Sequence, residues 1–310
     1  MLSRIAESMF WIGRYVERSE DTARLLQTHL RLLVEDTSSA AEVDACRHLL
    51  ALMSVDDIEN PTHADLLRVL GYDAREPTSI YSSWAAARDN ARRAREVIPL
   101  DLWECINTTW HQLPREPFGV AGAHTFLNWA RERSALFGGI SRGIMVRDDG
   151  WQFMSMGRSL EQVDMTSRIV ASASLTAGST QWPSVLRGCG GHDSFLRTYR
   201  GLHTDREAAQ FLILDARFPR SIMHGLVAAA DSLRKITQNN TLAARQSEFA
   251  ARALGQLRAR LEYAEVDDLV DNLDSEMAEV QNVAAKVTQA VSTNYFAAAE
   301  PAAWITERTR

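Results

Sequence analysis

Lysine is almost missing from this 310-residue chain: of 34 basic residues only Lys235 and Lys286 are lysines, and the other 32 are arginines. GC-rich coding is the commonest cause of such a bias. The second is a demand for bidentate contacts to carboxylate or phosphate, which guanidinium makes and ammonium does not. Cysteine is scarce as well. Cys46, Cys105 and Cys189 are far apart, odd in number and in no CxxC pair, which argues against a disulfide framework and against a zinc site. Long apolar runs are lacking: no stretch approaches the roughly 18 residues of a membrane span. The first twenty residues carry Arg4, Glu7, Arg14 and Glu17, unlike the unbroken apolar core of a signal peptide. The expectation is a cytoplasmic protein with no membrane contact. An excess of positive charge is lacking too. The net charge is -6 and the pI near 5.8, which speaks against a free-standing nucleic-acid binder.

What the chain does have is helical periodicity. Ile5, Met9, Ile12, Val16, Ser19, Ala23 and Leu26 fall at alternating steps of four and three, one apolar or small face of a helix. The spacing predicts that this helix runs to about Leu33, with a break at Thr37–Ser39. Further helices are predicted over 42–53, 63–70, 79–97, 100–113, 124–145, 207–214, 221–236, 243–264 and 271–295. Another follows the turn at Asp148-Asp149-Gly150. Glycines and small polar residues make 177–193 read as a loop. No alternating pattern suggests a strand. The predicted fold is an all-α helical bundle, with two pseudo-related halves packed as one unit: residues 1–146, residues 147–295 and a tail over 296–310.

The halves are marked by a repeated helix. Gly13, Arg14, Glu17, Thr22 and Arg24 recur 144 residues later as Gly157, Arg158, Glu161, Thr166 and Arg168. Glu20 recurs as Asp164 and Val16 as Leu160. At about 100° per residue, Arg14, Glu17, Asp21 and Arg24 form a stripe roughly opposite the apolar face, and Arg158, Glu161 and Arg168 form its counterpart. Such a stripe is read either as solvated pairs three or four residues apart, as an ionic seam between helices, or as a ligand or partner surface. The repetition of one unequal set of residues favours more than a solvated face. It leaves the seam and the ligand surface open. Paired carboxylates on two helices also suggest a di-metal site, but neither glutamate has a histidine three residues on, and arginines flank both. No bound metal is expected.

Other chemistry is thin. There is no phosphate-binding GxxxxGK[ST] loop, no HExxH and no G-x-S-x-G elbow. Cys189, His192 and Asp193 are neighbours in sequence, which is not the spatial arrangement a nucleophile and base need. His29, His48 and His111 fall inside helix patterns and read as structural or exposed. Trp84, Trp103 and Trp110 read as core or interface aromatics. Arg88 and Arg92 lie one turn apart and share a face, so Arg88 joins the candidate anion-binding residues.

The chain resembles the alpha-E domain family, a bacterial all-helical family named for a glutamate–arginine motif. Glu17–Arg18 matches that motif. The resemblance continues through Ser79–Ile80, Ala87–Arg92, Trp103–Glu104 and Asn107, then Arg147–Trp151 and Gly157–Glu161, and closes with Phe211–Asp215 and Phe218–Ser221. One departure is Gln162, where the family pattern has arginine after the glutamate. The resemblance implies a genomic partnership with a circularly permuted ATP-grasp protein, and links to transglutaminase-like and proteasome-like peptidase proteins. It therefore implies a helical partner subunit in an ATP-dependent amide or peptide ligation system, with ATP and Mg reaching it through that partner. Arg14, Glu17, Arg18, Asp21, Arg24, Arg88, Arg158, Glu161, Asp164 and Arg168 are the expected binding or interface residues. The alternative is a non-catalytic helical scaffold whose Arg/Glu motif is an ionic seam.

Overall fold

The structure is a computed structural model that describes residues 2–35, 39–56, 58–114, 120–173, 182–200, 204–238 and 247–296. Among them there are only helices and turns. The first half holds α1 (Ser3–Glu35), α2 (Ser39–Leu52), α3 (His63–Leu66), α4 (Ile80–Arg93), α5 (Leu100–Gln112) and α6 (Val120–Ile144); α3 runs on into a π-helical turn, Leu67–Tyr72. The second half holds α7 (Asp149–Ala171), α8 (Trp182–Gly188), α9 (His192–Thr198), α10 (Asp205–Ile213), α11 (Ile222–Thr237), α12 (Glu248–Glu262), α13 (Val266–Asp271) and α14 (Leu273–Tyr295). No helix among the described residues is long and apolar enough to cross a membrane.

The long helices fall where the periodicity places them. The stretch read as a loop over 177–193 is corrected in part: Trp182, Val185 and Leu186 are buried on α8, because three apolar residues within one turn or so outweigh the surrounding glycines. Residues 174–181 of that stretch lie outside the described residues. So do the expected breaks at Thr37–Ser38 and Asn239–Asn240, and the tail beyond Phe296. Phe296 itself is buried and packs 5.5 Å from Phe10 between ring centroids.

One core runs through both halves. At its centre α1 crosses α7. Around them the neighbours repeat: α4 and α6 pack on α1 as α11 and α14 pack on α7, and α5 bridges α4 and α6 as α12 bridges α11 and α14. The match extends to the helix starts. Thr62 caps α3 in a reciprocal box with Asp65, and Thr204 caps α10 in one with Glu207. Ser79 caps α4 and donates to the Asp73 carbonyl at 2.6 Å; Ser221 caps α11 and donates to the Asp215 carbonyl at 2.7 Å. These pairs are all 142 residues apart. They expose a second repeat in the sequence: Asp73-Ala74-Arg75, Pro77, Ser79 and Ile80 return as Asp215-Ala216-Arg217, Pro219, Ser221 and Ile222.

The crossing itself is fixed by two glycines, the first residues of the repeated motif. A Cβ on Gly13 would stand 2.1 Å from the Met154 carbonyl oxygen, and one on Gly157 would stand 2.1 Å from that of Phe10. Phe10 and Met154 are themselves 144 residues apart, so the contact is the same contact made twice. Only a residue without a side chain lets the two backbones meet there. Gly13→Ala and Gly157→Ala should each force the helices apart and lower stability by about 3 kcal/mol, read as a drop in chemical-denaturation midpoint. Gly139→Ala is the matched control. It sits in α6 with nothing within 4 Å of its Cβ position apart from its own stretch of helix, and it should hold or gain about 0.5–1 kcal/mol through helix propensity.

Candidate functional site

The close approach at Gly13 and Gly157 buries the polar stripe that amphipathic geometry alone would leave in water. α7 is buried on nearly all sides, and Glu17 and Glu161 are 2% and 1% exposed. The solvated-face reading is therefore overturned for the glutamates: both lie inside the bundle, while the Arg158 side chain stays 36% exposed. The Arg-to-Glu pairs do not close within one helix either. Arg14 Nε donates to Glu161 Oε2 at 2.5 Å, and Arg158 Nε donates to Glu17 Oε2 at 2.7 Å. Each motif arginine thus crosses to the other motif's glutamate.

Each buried glutamate then takes a second guanidinium. Arg18 donates from Nε to Glu161 Oε1 at 2.5 Å and from Nη2 to Glu161 Oε2 at 3.1 Å. Position 162, its counterpart, is glutamine and cannot serve Glu17. Arg220 does so instead: its Nη1 lies 3.0 Å from Glu17 Oε1, and it also donates to Glu20 at 3.2 Å and to Asp21. Gln162 keeps the other part of the role. Its amide donates to the Pro219 carbonyl at 2.5 Å, as Arg18 Nη1 reaches the Pro77 carbonyl at 3.5 Å. Thr22 and Thr166 donate to the carbonyls of Thr78 and Arg220, both at 3.1 Å. Helix starts and motif helices are thereby tied together twice. The remaining pairs close within a helix: Arg24 with Glu20 at 2.7 Å and Arg168 with Asp164 at 3.1 Å.

Electrostatics decide which of these acids stay charged. Burial pushes the Glu161 carboxyl up, but Arg14 and Arg18 outweigh it and hold the group at about 2. Glu20 is likewise held at about 2, its burial outweighed by Arg220 and Arg24. Asp21 goes the other way. Complete burial raises it, with Glu17 and Glu20 adding to the effect against Arg220, and its Oδ2 makes no hydrogen bond among the described residues. Asp164 is raised by burial as well, against Arg168.

Arg88 is not part of this cluster. It lies on α4 and donates to Asn107 Oδ1 at 2.8 Å, which ties α4 to α5. Arg220 is the residue that sequence reasoning missed. Its signal was the second repeat, in which Arg220 stands where the first half has Thr78.

Three openings flank the buried pairs, the first a cleft of about 240 Å³ lined by Gly13, Arg142, Arg158, Gln162 and His224. At the small residue Thr78 the seat that Arg220 fills in the other half stays open, as a cavity of about 130 Å³ lined by Arg18, Ser54, Thr78, Glu161, Asp164 and Arg168. A wider cleft of about 240 Å³ is lined by Arg24, Gln27, Arg131, Arg187, Gly190 and His192, with Asp193 at its rim. Gly190 has a φ of +68°, and a side chain there would meet the Arg24 guanidinium at 2.7 Å. The bare turn lets the arginine face the cleft. Arg187 is half-buried there and forms no ion pair among the described residues. Arg24 keeps its bonds to Glu20 and Arg131 Nη1 donates to Gln27 Oε1 at 2.5 Å, yet three guanidiniums lining one cleft still make a site suited to a carboxylate or phosphoryl group.

Comparison with known proteins agrees with the helical architecture. The family model Alpha-E, described as a predicted alpha-helical domain with a conserved ER motif, matches residues 1–296. An uncharacterized protein of Mycobacterium bovis and two of Mycobacterium tuberculosis strains are each 22% identical over 312 residues, covering 89% of this chain. The chain spans about a third of the length of these relatives, 34%. No solved structure matches it.

Removing one member of a buried ion pair strands the others. Glu161→Gln should cost about 3–5 kcal/mol, measured by urea denaturation at neutral pH. The pH dependence follows from the sign of the shift. A carboxyl held at about 2 in the fold and near 4.5 when unfolded contributes stability that is complete above 4.5 and is lost as pH falls toward 2. The wild-type denaturation midpoint should fall across that window, and the Glu161→Gln midpoint should fall less steeply.

Proposed function

Because the chain belongs to the Alpha-E family, whose model covers residues 1–296, we propose that it is the helical partner subunit of an ATP-dependent amide or peptide ligase. Its task in that system is to receive the carboxylate or acyl phosphate in the Arg24–Arg131–Arg187 cleft. The observation that carries this reading is the cleft itself: guanidiniums gathered around an open volume of about 240 Å³, with Arg187 in no ion pair among the described residues. Bidentate, charge-assisted donors suit an acyl phosphate or a peptide carboxylate. The buried Arg/Glu pairs act one step back, by holding α1 and α7 in the register that aims Arg24 into the cleft. A circularly permuted ATP-grasp protein supplies ATP and Mg in this reading, as the family resemblance implies. The length of the relatives outside the matched part is in keeping with a helical unit that works joined to another.

The second reading, a scaffold whose motif is an ionic seam, is favoured by the reciprocal pairing of Arg14 with Glu161 and Arg158 with Glu17. The two readings part at Arg187, which belongs to the cleft and not to the seam. Co-expression with the ATP-grasp protein, size-exclusion chromatography and an ATP-consumption assay with mixed amino acids test them. A stable complex should turn over ATP, and Arg187→Ala should lower that turnover by about 10- to 100-fold, the loss of one charge-assisted contact, with the melting temperature unchanged. Turnover that survives Arg187→Ala would leave the scaffold reading standing.

A further inference from the structure

We propose that His29, Cys46 and His63 form a zinc site that ties together α1, α2 and α3. The three ligand atoms converge from three helices. His29 Nε2 lies 3.2 Å from His63 Nδ1, Cys46 Sγ lies 3.6 Å from His29 Nε2, and Cys46 Sγ lies 3.4 Å from His63 Nδ1. Tetrahedral zinc, with bonds of about 2.0–2.1 Å to nitrogen and about 2.3 Å to sulfur, sets edges of about 3.4 Å between nitrogens and about 3.6 Å between nitrogen and sulfur. The triangle has the size of one face of that tetrahedron. Two imidazoles and a thiolate are also the donor set that zinc prefers over magnesium or calcium.

Hydrogen bonding accounts for the cluster only through a long, weak link: with the Cys46 thiol donating to His63 Nδ1, His29 Nε2 is left the sulfur at 3.6 Å. His63 Nε2 faces Glu42 Oε1 at 3.2 Å, so its proton goes to that carboxylate and Nδ1 presents a single lone pair to the interior. Both His29 Nε2 and the Cys46 thiol crowd that one acceptor, and only one of them can use it. A cation accepts all three lone pairs at once. Glu42 then plays the outer-shell part common at zinc–histidine sites, where a carboxylate fixes the tautomer and aims the ring. The capping box of Thr62 and Asp65 sets the first turn of α3, and with it the direction of His63. Binding converts the Cys46 thiol to zinc-bound thiolate and releases its proton to solvent. The fourth corner is left to water.

The site belongs to the first half alone. Ala173 and Asp205 stand at the positions equivalent to His29 and His63 in the two repeats. Nor does it have a compact sequence signature, since the ligands are seventeen residues apart on separate helices.

The test uses the full, untagged chain. Elemental analysis after dialysis against zinc chloride should find one zinc per chain. Cobalt(II) in its place should give tetrahedral ligand-field bands and a thiolate-to-cobalt charge-transfer band. Cys46→Ser and His63→Asn should each reduce zinc to background, while Cys105→Ser keeps it. Glu42→Gln should weaken binding by about 10- to 100-fold. Circular dichroism identifies any variant that fails to fold, and the wild-type cobalt spectrum stands independently of the variants. Folded wild-type protein that takes up no zinc, or zinc that Cys46→Ser retains, would overturn the proposal.

Discussion

Two backbone contacts hold the architecture in place: Gly13 against the Met154 carbonyl, and Gly157 against that of Phe10. At that separation the side chains one position on are carried into the interface. Those side chains are Arg14 and Arg158, and their length lets them reach past the crossing to the opposite glutamate. A glycine followed by an arginine, with a glutamate three residues later, is thus one device: approach, cross, be received. The device needs two copies that face each other, which is why the repeat lies on the two central helices and not on the outer ones.

Charges buried in this way are expensive. Desolvation disfavours the charged forms of Glu20, Asp21, Glu161 and Asp164, and an isolated buried ion would shed its charge. Glu161 stays ionised because two guanidiniums serve it at once, whereas Asp21, with Glu17 and Glu20 beside it, is raised. Buried ion pairs of this kind add little net stability compared with a well-packed apolar interface. Their effect here is on register: an antisymmetric slip of α1 along α7 would separate both Arg–Glu pairs together.

The two repeats differ in a way the geometry explains. Each central glutamate takes two guanidiniums, but they come from different places. The first half supplies its second one from Arg18 on the helix. The second half has Gln162 there and supplies it from Arg220 in the preceding turn of α11. The exchange leaves a tightly filled seat around Arg220 and an open cavity at Thr78. Pseudo-symmetry of the backbone therefore coexists with asymmetry of the openings, and the arginine cleft and the His29–Cys46–His63 cluster each belong to one side of the molecule.

Helix positions were legible in the amino-acid order because apolar spacing and capping residues are local. The GR-x-x-E repeat was legible for the same reason. The second repeat, from Asp73 and Asp215 to Ile80 and Ile222, was also written there, but it is short and sits at a spacing of 142 rather than 144 residues. Which face of each motif helix meets water was not legible. The pattern of charges on α1 suits an exposed stripe as well as a buried one, and only the packing of α7 against it decides. The same holds for Arg220, Arg187 and His63, each brought to its partners by helices distant in sequence. The chain by itself determined the helices and the repeated motif, since these depend on neighbours within a few residues. Tertiary structure decided which charges pair, which arginines line a cleft and which histidines meet a cysteine. Those outcomes depend on distances between helices, which no local pattern encodes.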